Sequence, residues 1–482
     1  MRIDGLLSLN GTRIDGKIDG WRATIGTNLI MQGATLGGPV NLRSTHVGLL
    51  MDMSDASVDV QQAFDAERLG VGRDGLLMRR VRYGGPVDLF DAHSDGQFDM
   101  TGVNVFDQQN FNAELLHVGT AGLLLGEATF GGSISLCQAH VNGRLALDSA
   151  RFAGPVSLCD AQVDGLMSME QATVEEGQMF YAQRLHVGKG GLFLDRTTFG
   201  GPVDISDARV DGLMRMERAS VAKNQSFNAE FLRVGNDLCM CSVTLRGAVN
   251  LQTLTVDGSL SLGDSHVRQL DLAGAVIRDD LLLGGRWDDG SERRLHWDAC
   301  DGQAPCLNLR NTKIGNLQDD ETAWPERMTL EGFTFARLGG FGGEQRQDLR
   351  NRKISWWRDW LSRDPVYSAQ PYSQLASVLV AAGNRDGAAD IRFFGRDRER
   401  MELLRGCTWL PNWLQHLLLL EQLDETRPCH YGPGLGKTVL QLFVGYGIGY
   451  YAFRAAGWAL FFALIGTAIL LFAPGARRVR PT

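Results

Sequence analysis

The sequence predicts a mainly β protein. A parallel β-helix over residues 1–338 is followed by a small α-helical module at 344–430 and a membrane segment at 437–473. Three observations carry this. Units of 22 to 25 residues recur through the first two thirds of the chain. Within a unit the apolar residues alternate, skip and alternate again. One uncharged stretch of 19 residues, Ala455–Ala473, lies just before a basic tail at 474–482.

The repeat is plainest in FAGPVSLCDAQVDGLMSMEQATV (Phe152–Val174) and FGGPVDISDARVDGLMRMERASV (Phe199–Val221), identical at 15 of 23 positions and 47 residues apart. The phrase F-[NDY]-A-[EQ] begins at Phe64, Phe111, Phe180 and Phe227. A glycine opening G-[PSA]-[VI] falls at Gly38, Gly85, Gly132, Gly154, Gly201 and Gly247, with spacings of 47, 47, 22, 47 and 46. Inside one unit, Val156, Leu158, Ala161, Val163 and Gly165 give alternation, a two-residue skip, then alternation again. Alternation marks a strand with one buried face, and the skip marks a corner. Glycine there suits positive φ or close backbone approach, and alanine suits a cramped edge. A 3.6-residue period would scatter these side chains around a helix. Single rungs cannot bury their apolar faces, whereas stacked rungs share a core. The pattern ends at about Leu338, its last rung being MTLEGFTF, Met328–Phe335. A dozen or so rungs would make a rod about 60 Å long.

The bulk numbers agree. The chain has 482 residues, 59 Gly and 13 Pro, without the three-residue period of collagen. A net charge of −8 excludes a wholly basic nucleic-acid binder. Eight unevenly spaced cysteines predict reduced thiols rather than a disulfide framework. The opening MRIDGLLSLNGTRIDGKIDG has neither the basic nor the apolar region of a signal peptide, so none is expected.

From Glu344 to Gly406 glycines thin out, and 12 Lys+Arg stand against 9 Asp+Glu. QPYSQLASVLVAAGNRDGAADIRFFGRDRER predicts two helices joined at Gly383–Gly387, with Leu375, Val378, Leu379 and Ala382 on one face and Pro371 in the first turn. Such a hairpin needs a neighbour, such as the end of the rod. The run Arg392, Arg396, Arg398, Arg400 and Arg405 has two readings: a solvated or lipid-facing basic face, or a site for an anionic ligand such as a nucleotide or nucleic acid. Trp356, Trp357 and Trp360 could stack on a base, but tryptophans at helical spacing more often form core.

LPNWLQHLLLLEQL, Leu410–Leu423, is apolar but short and predicts a buried or interfacial helix. Ala455–Ala473 matches a bilayer core of about 30 Å at 1.5 Å per residue, with Trp458 as an interfacial anchor. The preceding LQLFVGYGIGYYAF would lie in the interface or re-enter the membrane. Gly445 and Gly449 form a G-x-x-x-G, and with Gly457 and Gly466 they offer small residues for helix association and a homo-oligomer.

Motifs of catalysis are weak. GPGLGKT, Gly432–Thr438, has Tyr431 where a phosphate-binding loop needs glycine, and reads as a flexible elbow. His296, Cys300 and Cys306 lack the spacing and fourth ligand of a zinc site. Cys137 and Cys159 should stack on adjacent rungs, and Asp164 and Asp211 read as turn formers. No Ser–His–Asp or Cys–His set stands out, so no catalytic residue, metal ligand or cofactor is assigned and no enzyme is expected.

The A-x-V/L-x-G grammar resembles that of pentapeptide-repeat and related right-handed β-helix proteins, with longer rungs. WPERMTLEGFTFARL followed by YSAQPYSQLASVLVAAGNRDGAADI resembles a bacterial family of β-helix membrane proteins, in which a rod precedes a helical module and hydrophobic helices. That resemblance implies a right-handed solenoid at the inner membrane, its bulk cytoplasmic. The longer relatives look to have a second hydrophobic helix that this sequence lacks. Arg477, Arg478 and Arg480 after the span pull the orientation the other way. The expected function is a membrane-anchored scaffold that tethers a rigid rod to the bilayer for an unknown partner. The alternative is an oligomeric membrane effector, such as a ligand-gated pore in anti-phage defence, with the soluble part as sensor.

Overall fold

A computed structural model describes residues 1–286, 292–300, 304–339, 352–407 and 428–472. They form two compact units. One is built on Met1–Met328, the other on Thr329–Leu338 with the helices that follow.

The first unit is a parallel β-solenoid of about 15 turns, rather more than the dozen expected. One turn shows how the sequence makes it. Four short strands, Arg151–Phe152, Val156–Ser157, Gln162–Val163 and Leu166–Ser168, form its four sides. Each pairs in parallel with its counterpart in the next turn, at Thr173–Val174, Phe180–Tyr181, His186–Val187 and Gly191–Phe193. Phe152, Val156, Val163 and Met167 point inward and are at most 1% exposed. A two-residue strand has no stability of its own. It is held because the register places like on like, so the inward side chains form continuous columns. Phe130 stacks on Phe152 at 5.6 Å and 2°, and Phe111 meets Phe130 edge-on at 5.2 Å.

The corners are built from two devices. At Leu158–Ala161 the Ala161 N–H donates to the Leu158 carbonyl, and Asp160 sits at φ 55°. This is the turn geometry that normally favours glycine at its third position. Here Asp160, Gln171, Asp207 and Arg218 fill it, whereas in other turns glycine does, as at Gly33, Gly102 and Gly177. Gly165 answers the other need: a Cβ on it would lie 2.5 Å from the Gly143 oxygen, and on Gly188 1.9 Å from the Asp164 oxygen. Elsewhere an outward column of Asp and Asn fastens the turns. Asn228 Nδ2 donates to Asp204 and Asn250 Nδ2 to Asn228, while Asn228 accepts from the Glu230 N–H and Asn250 from the Gln252 N–H.

The sequence 284–297 departs from the rung pattern: Gly284–Arg286 and Glu292–Arg294 pair as an antiparallel hairpin.

In the second unit, α1 (Ile354–Ser362), α2 (Ala369–Ala381) and α3 (Arg385–Leu404) form a helical cluster. Trp357 and Trp360 are fully buried, as is Leu375. Gly383 turns the chain at φ 87°, and Asn384 caps α3 by accepting from the Gly387 N–H. The turn is therefore tighter than expected, and Gly387 lies inside α3. The hairpin's neighbour is the segment Thr329–Leu338. Gln370 and Gln374 on α2 donate to the Phe333 and Phe335 carbonyls at 3.0 and 2.6 Å, and Asp364 accepts from the Leu330 N–H at 2.8 Å. Among the described residues two further helices follow, α4 (Tyr431–Val444) and α5 (Phe453–Phe472). The expected helix Leu410–Leu423 and the tail 474–482 lie outside the described residues.

Candidate functional site

The basic run does not converge into one site. Arg398 donates to the Leu361 and Asp364 carbonyls and to the Tyr372 hydroxyl, tying α3 to the end of α1 and to α2. Arg400 is 2% exposed and pairs with Asp397 at 3.0 Å. Arg396 pairs with Glu399 at 3.1 Å and Arg405 with Glu402 at 2.8 Å. Arg392 and Arg396 are exposed, whereas Arg398 and Arg400 are bound to the protein itself. Nor do the tryptophans offer a stacking face. Trp357 and Trp360 are core, and the Arg352 guanidinium lies 4.1 Å over Trp356.

The P-loop-like stretch is helical, which corrects the flexible elbow expected there. Gly434 lets α4 approach α3, since a Cβ would stand 2.5 Å from Leu404. Lys437 Nζ meets Glu399 at 2.6 Å, and Gln441 Nε2 donates to Asp397 at 2.9 Å. Burial raises the Glu399 pKa, but the bonds from Lys437 and Arg396 outweigh it and hold the carboxyl below its ordinary value. A lysine committed in this way is an internal tie.

The elbow sits one step later. Gly445, Tyr446, Gly447 and Gly449 all have positive φ, from 47° to 70°, and link α4 to α5 through two short 3₁₀ turns. Gly445 and Gly449 are therefore not a helix-association face. Gly445 ends α4 where a Cβ would strike the Tyr451 carbonyl, and Gly449 lies against Ala389. Gly457 and Gly466 are on α5 with open space around them, nine residues apart. At about 100° per residue they point to opposite sides.

The α5 helix has 20 residues, and the apolar window Gly449–Leu471 has none of its length buried. It is long and apolar enough to cross a membrane. Trp458 Nε1 donates to the Leu442 carbonyl, and Arg454 to that of Gln441, locking the start of α5 to the end of α4.

On the solenoid, two outward columns went unremarked in the sequence. His46, Gly70, His93, His117, His140, Gln162, His186, Arg209 and Arg233 share one register. His93 bonds Asp95 at 2.6 Å, His140 bonds Asp164 at 3.2 Å, and Asp211 is shared by His186 and Arg209. Asp164 and Asp211 are thus more than turn formers. The Gln162 amide and the His140 ring lower the Asp164 pKa; Arg209 and His186 do so for Asp211. The recurring dipeptide His-Val was the available signal. On another side Ile30, Asp52, Leu77, Asp99, Leu124, Ala146, Ser168, Phe193 and Arg215 stack in register, so apolar side chains stand at outward positions between polar ones.

The expectation of reduced thiols is overturned. All eight cysteines are joined, as Cys137–Cys159, Cys239–Cys241, Cys300–Cys306 and Cys407–Cys429. For the first pair the cause is the stacking of equivalent positions 22 residues apart, which brings the Cα atoms to 4.6 Å. Cys300 and Cys306 are thereby spent on each other, while His296 stacks on His266 at 4.8 Å. Among the described residues no group of three His, Cys, Asp or Glu is arranged to hold a metal ion. No family model, curated protein or solved structure matches the chain.

Proposed function

We propose that the chain is a membrane-anchored scaffold, in which α5 crosses the bacterial inner membrane and the solenoid presents its stacked sides to a protein partner. The observation that carries this reading is the unburied apolar window Gly449–Leu471. The half-buried Ile30, Leu77, Leu124 and Phe193 support it, because with Asp52 and Asp99 between them in the same column they make a mixed apolar and acidic face that a partner can cover. No observation favours the oligomeric effector, since Gly445 and Gly449 are used in the elbow.

The test is extraction of membranes at high pH. The full chain is expected to stay in the pellet, and a chain ended after Gly436 to be released. A full chain that washes off would overturn the proposal. A fall in membrane potential on induction of the full chain alone would restore the effector reading.

We propose that the solenoid lies in the cytoplasm, the side that the resemblance to β-helix membrane proteins implies. Against it stand the four disulfides and the arginines 477, 478 and 480 beyond the span. Alkylation in intact cells with a membrane-impermeant maleimide, followed by denaturation and thiol counting, decides between them. A cytoplasmic solenoid should give eight thiols that become reactive only after lysis, the four S–S pairs being reduced in that compartment. A chain with none is on the oxidising side.

A further inference from the structure

We propose that α4 is a second lipid-contacting element, lying along the membrane surface with its Leu435–Val439–Leu442 face in the bilayer. The inference rests on α5 being a membrane span.

The polarity of α4 is reversed relative to a helix on a water-soluble domain. Its inner face is fastened to α3 by polar contacts, Lys437 to Glu399 and Gln441 to Asp397, and the buried Thr438 on the same face bonds back within α4 to the Gly434 carbonyl. Its outer face carries Leu435, Val439 and Leu442, exposed by 37, 48 and 53%, with Phe443 beside them. Residues 435, 439 and 442 follow the i, i+4, i+7 spacing of one helical stripe. Chance would not put four large apolar side chains outward while lysine and glutamine turn in.

The occupant follows from continuity. The outer face of α4 runs directly into α5 through the Trp458 bond to the Leu442 carbonyl and the contact of the Phe443 and Trp458 rings at 4.7 Å. Whatever surrounds the first turns of α5 also reaches the end of α4. With 14 residues, α4 is about 21 Å long, short of the ~30 Å needed to cross. It therefore lies along the interface, where an apolar stripe sinks among the upper acyl chains. The positive-φ elbow at Gly445–Gly449 gives the chain room to turn from that plane into the span.

Photocrosslinking tests this directly. Val439, Leu442 and, as a span control, Leu464 would each be replaced by p-benzoylphenylalanine in the full chain. Each chain is then reconstituted in phosphatidylethanolamine–phosphatidylglycerol vesicles carrying alkyne-tagged acyl chains. Val60, 64% exposed on the solenoid, serves as the water-facing control. Tagged lipid is expected on residues 439, 442 and 464 and not on residue 60. Lipid at 464 alone would overturn the inference while leaving the span, and no lipid at any position would overturn the span itself. A covalent dimer from 439 or 442 would overturn it in favour of a second copy of the chain. Because these side chains point outward, the replacements leave the α3 contacts in place. A companion Lys437→Ala chain is expected to lose lipid adducts at 439, since it frees the inner face that orients the helix; undiminished adducts there would overturn the orienting role.

Discussion

Phe152 and Trp357 are both fully buried aromatic residues, and they are held in different ways. Phe152 sits in a column whose members lie one turn above and below, so its environment is a copy of theirs. Trp357 packs edge-on against Trp356 and Trp360 in a cluster that occurs once. In the solenoid, specificity comes from register. In the helical unit it comes from individual ties such as Arg398 and the two glutamines of α2. A repeated architecture spreads damage to nearest neighbours, whereas a single tie has no substitute.

The hardest break is expected where two turns touch without side chains. Gly188→Val would place a Cβ 1.9 Å from the Asp164 oxygen, and backbone cannot yield as a flexible side chain can. A loss beyond about 4 kcal/mol is expected, in the exceptional range for one substitution. Limited proteolysis near residues 164–191 should then cut a chain that is otherwise resistant. A resistant variant would mean that the turns can slide apart cheaply. Phe152→Ala comes next, at ~3–5 kcal/mol for an aromatic core truncation. Its urea transition should shift while Trp357 fluorescence in the other unit reports little change.

Arg398→Lys breaks the helical unit by a smaller amount. A guanidinium fork reaches two carbonyls and a hydroxyl together, and an ammonium keeps the charge without the fork. The expected cost is ~1.5–3 kcal/mol, the range for hydrogen bonds to a charged group. Tryptophan fluorescence should melt earlier, with the solenoid's far-UV signal unmoved. Full retention of stability would show that α1 and α2 hold α3 without it.

This contrast also explains what the sequence disclosed. Alternation at Val156, Leu158 and Val163 was enough for the solenoid, because every turn restates the same rule. A helix long and apolar enough to cross a membrane was equally plain in Ala455–Ala473, from length and absence of charge. The two readings of the arginine run could not be separated in the sequence, because Arg398 and Arg400 are held by Asp397, by Tyr372 and by backbone oxygens that no local pattern announces. The same holds for Gly445–Gly449, where four-residue spacing suggested a helix face and positive φ made an elbow. The face of α4 was within reach of the sequence. Leu435, Val439 and Leu442 are evenly spaced, but which side of the helix meets protein depended on Glu399 and Asp397.

Acid separates the two regions by sign. Burial opposes ionisation of Asp99, but bonds from Thr101 and Arg79 outweigh it and lower its pKa. Its contribution is present above the ordinary carboxylate range and is lost as pH falls through the folded value. Burial raises the Asp364 pKa despite the N–H groups of Leu330 and Val366. Its contribution is complete below the ordinary value and is lost as pH rises through the folded one. Asp99→Asn should therefore flatten the acid limb of the solenoid's stability curve. Asp364→Asn should help the helical unit more at neutral pH than in acid, read by urea midpoints. Parallel pH dependence in the two variants would sink the contrast.

The smallest effect concerns φ. The helical unit turns at Gly383, where positive φ costs nothing, while the solenoid places ordinary residues at most of its positive-φ corners, among them the exposed Gln171 at φ 60°. An L-residue in that region costs ~1–2 kcal/mol, and glycine forfeits ~0.5–1 kcal/mol in chain entropy. Gln171→Gly should therefore stabilise the solenoid by roughly 0.5–1 kcal/mol, the difference between those terms. Gly383→Ala should destabilise the helical unit by a similar amount. A loss of stability in Gln171→Gly would mean that the stacked outward side chains contribute more than the strained φ costs. The corner residues would then be part of the solenoid's register rather than tolerated exceptions to it.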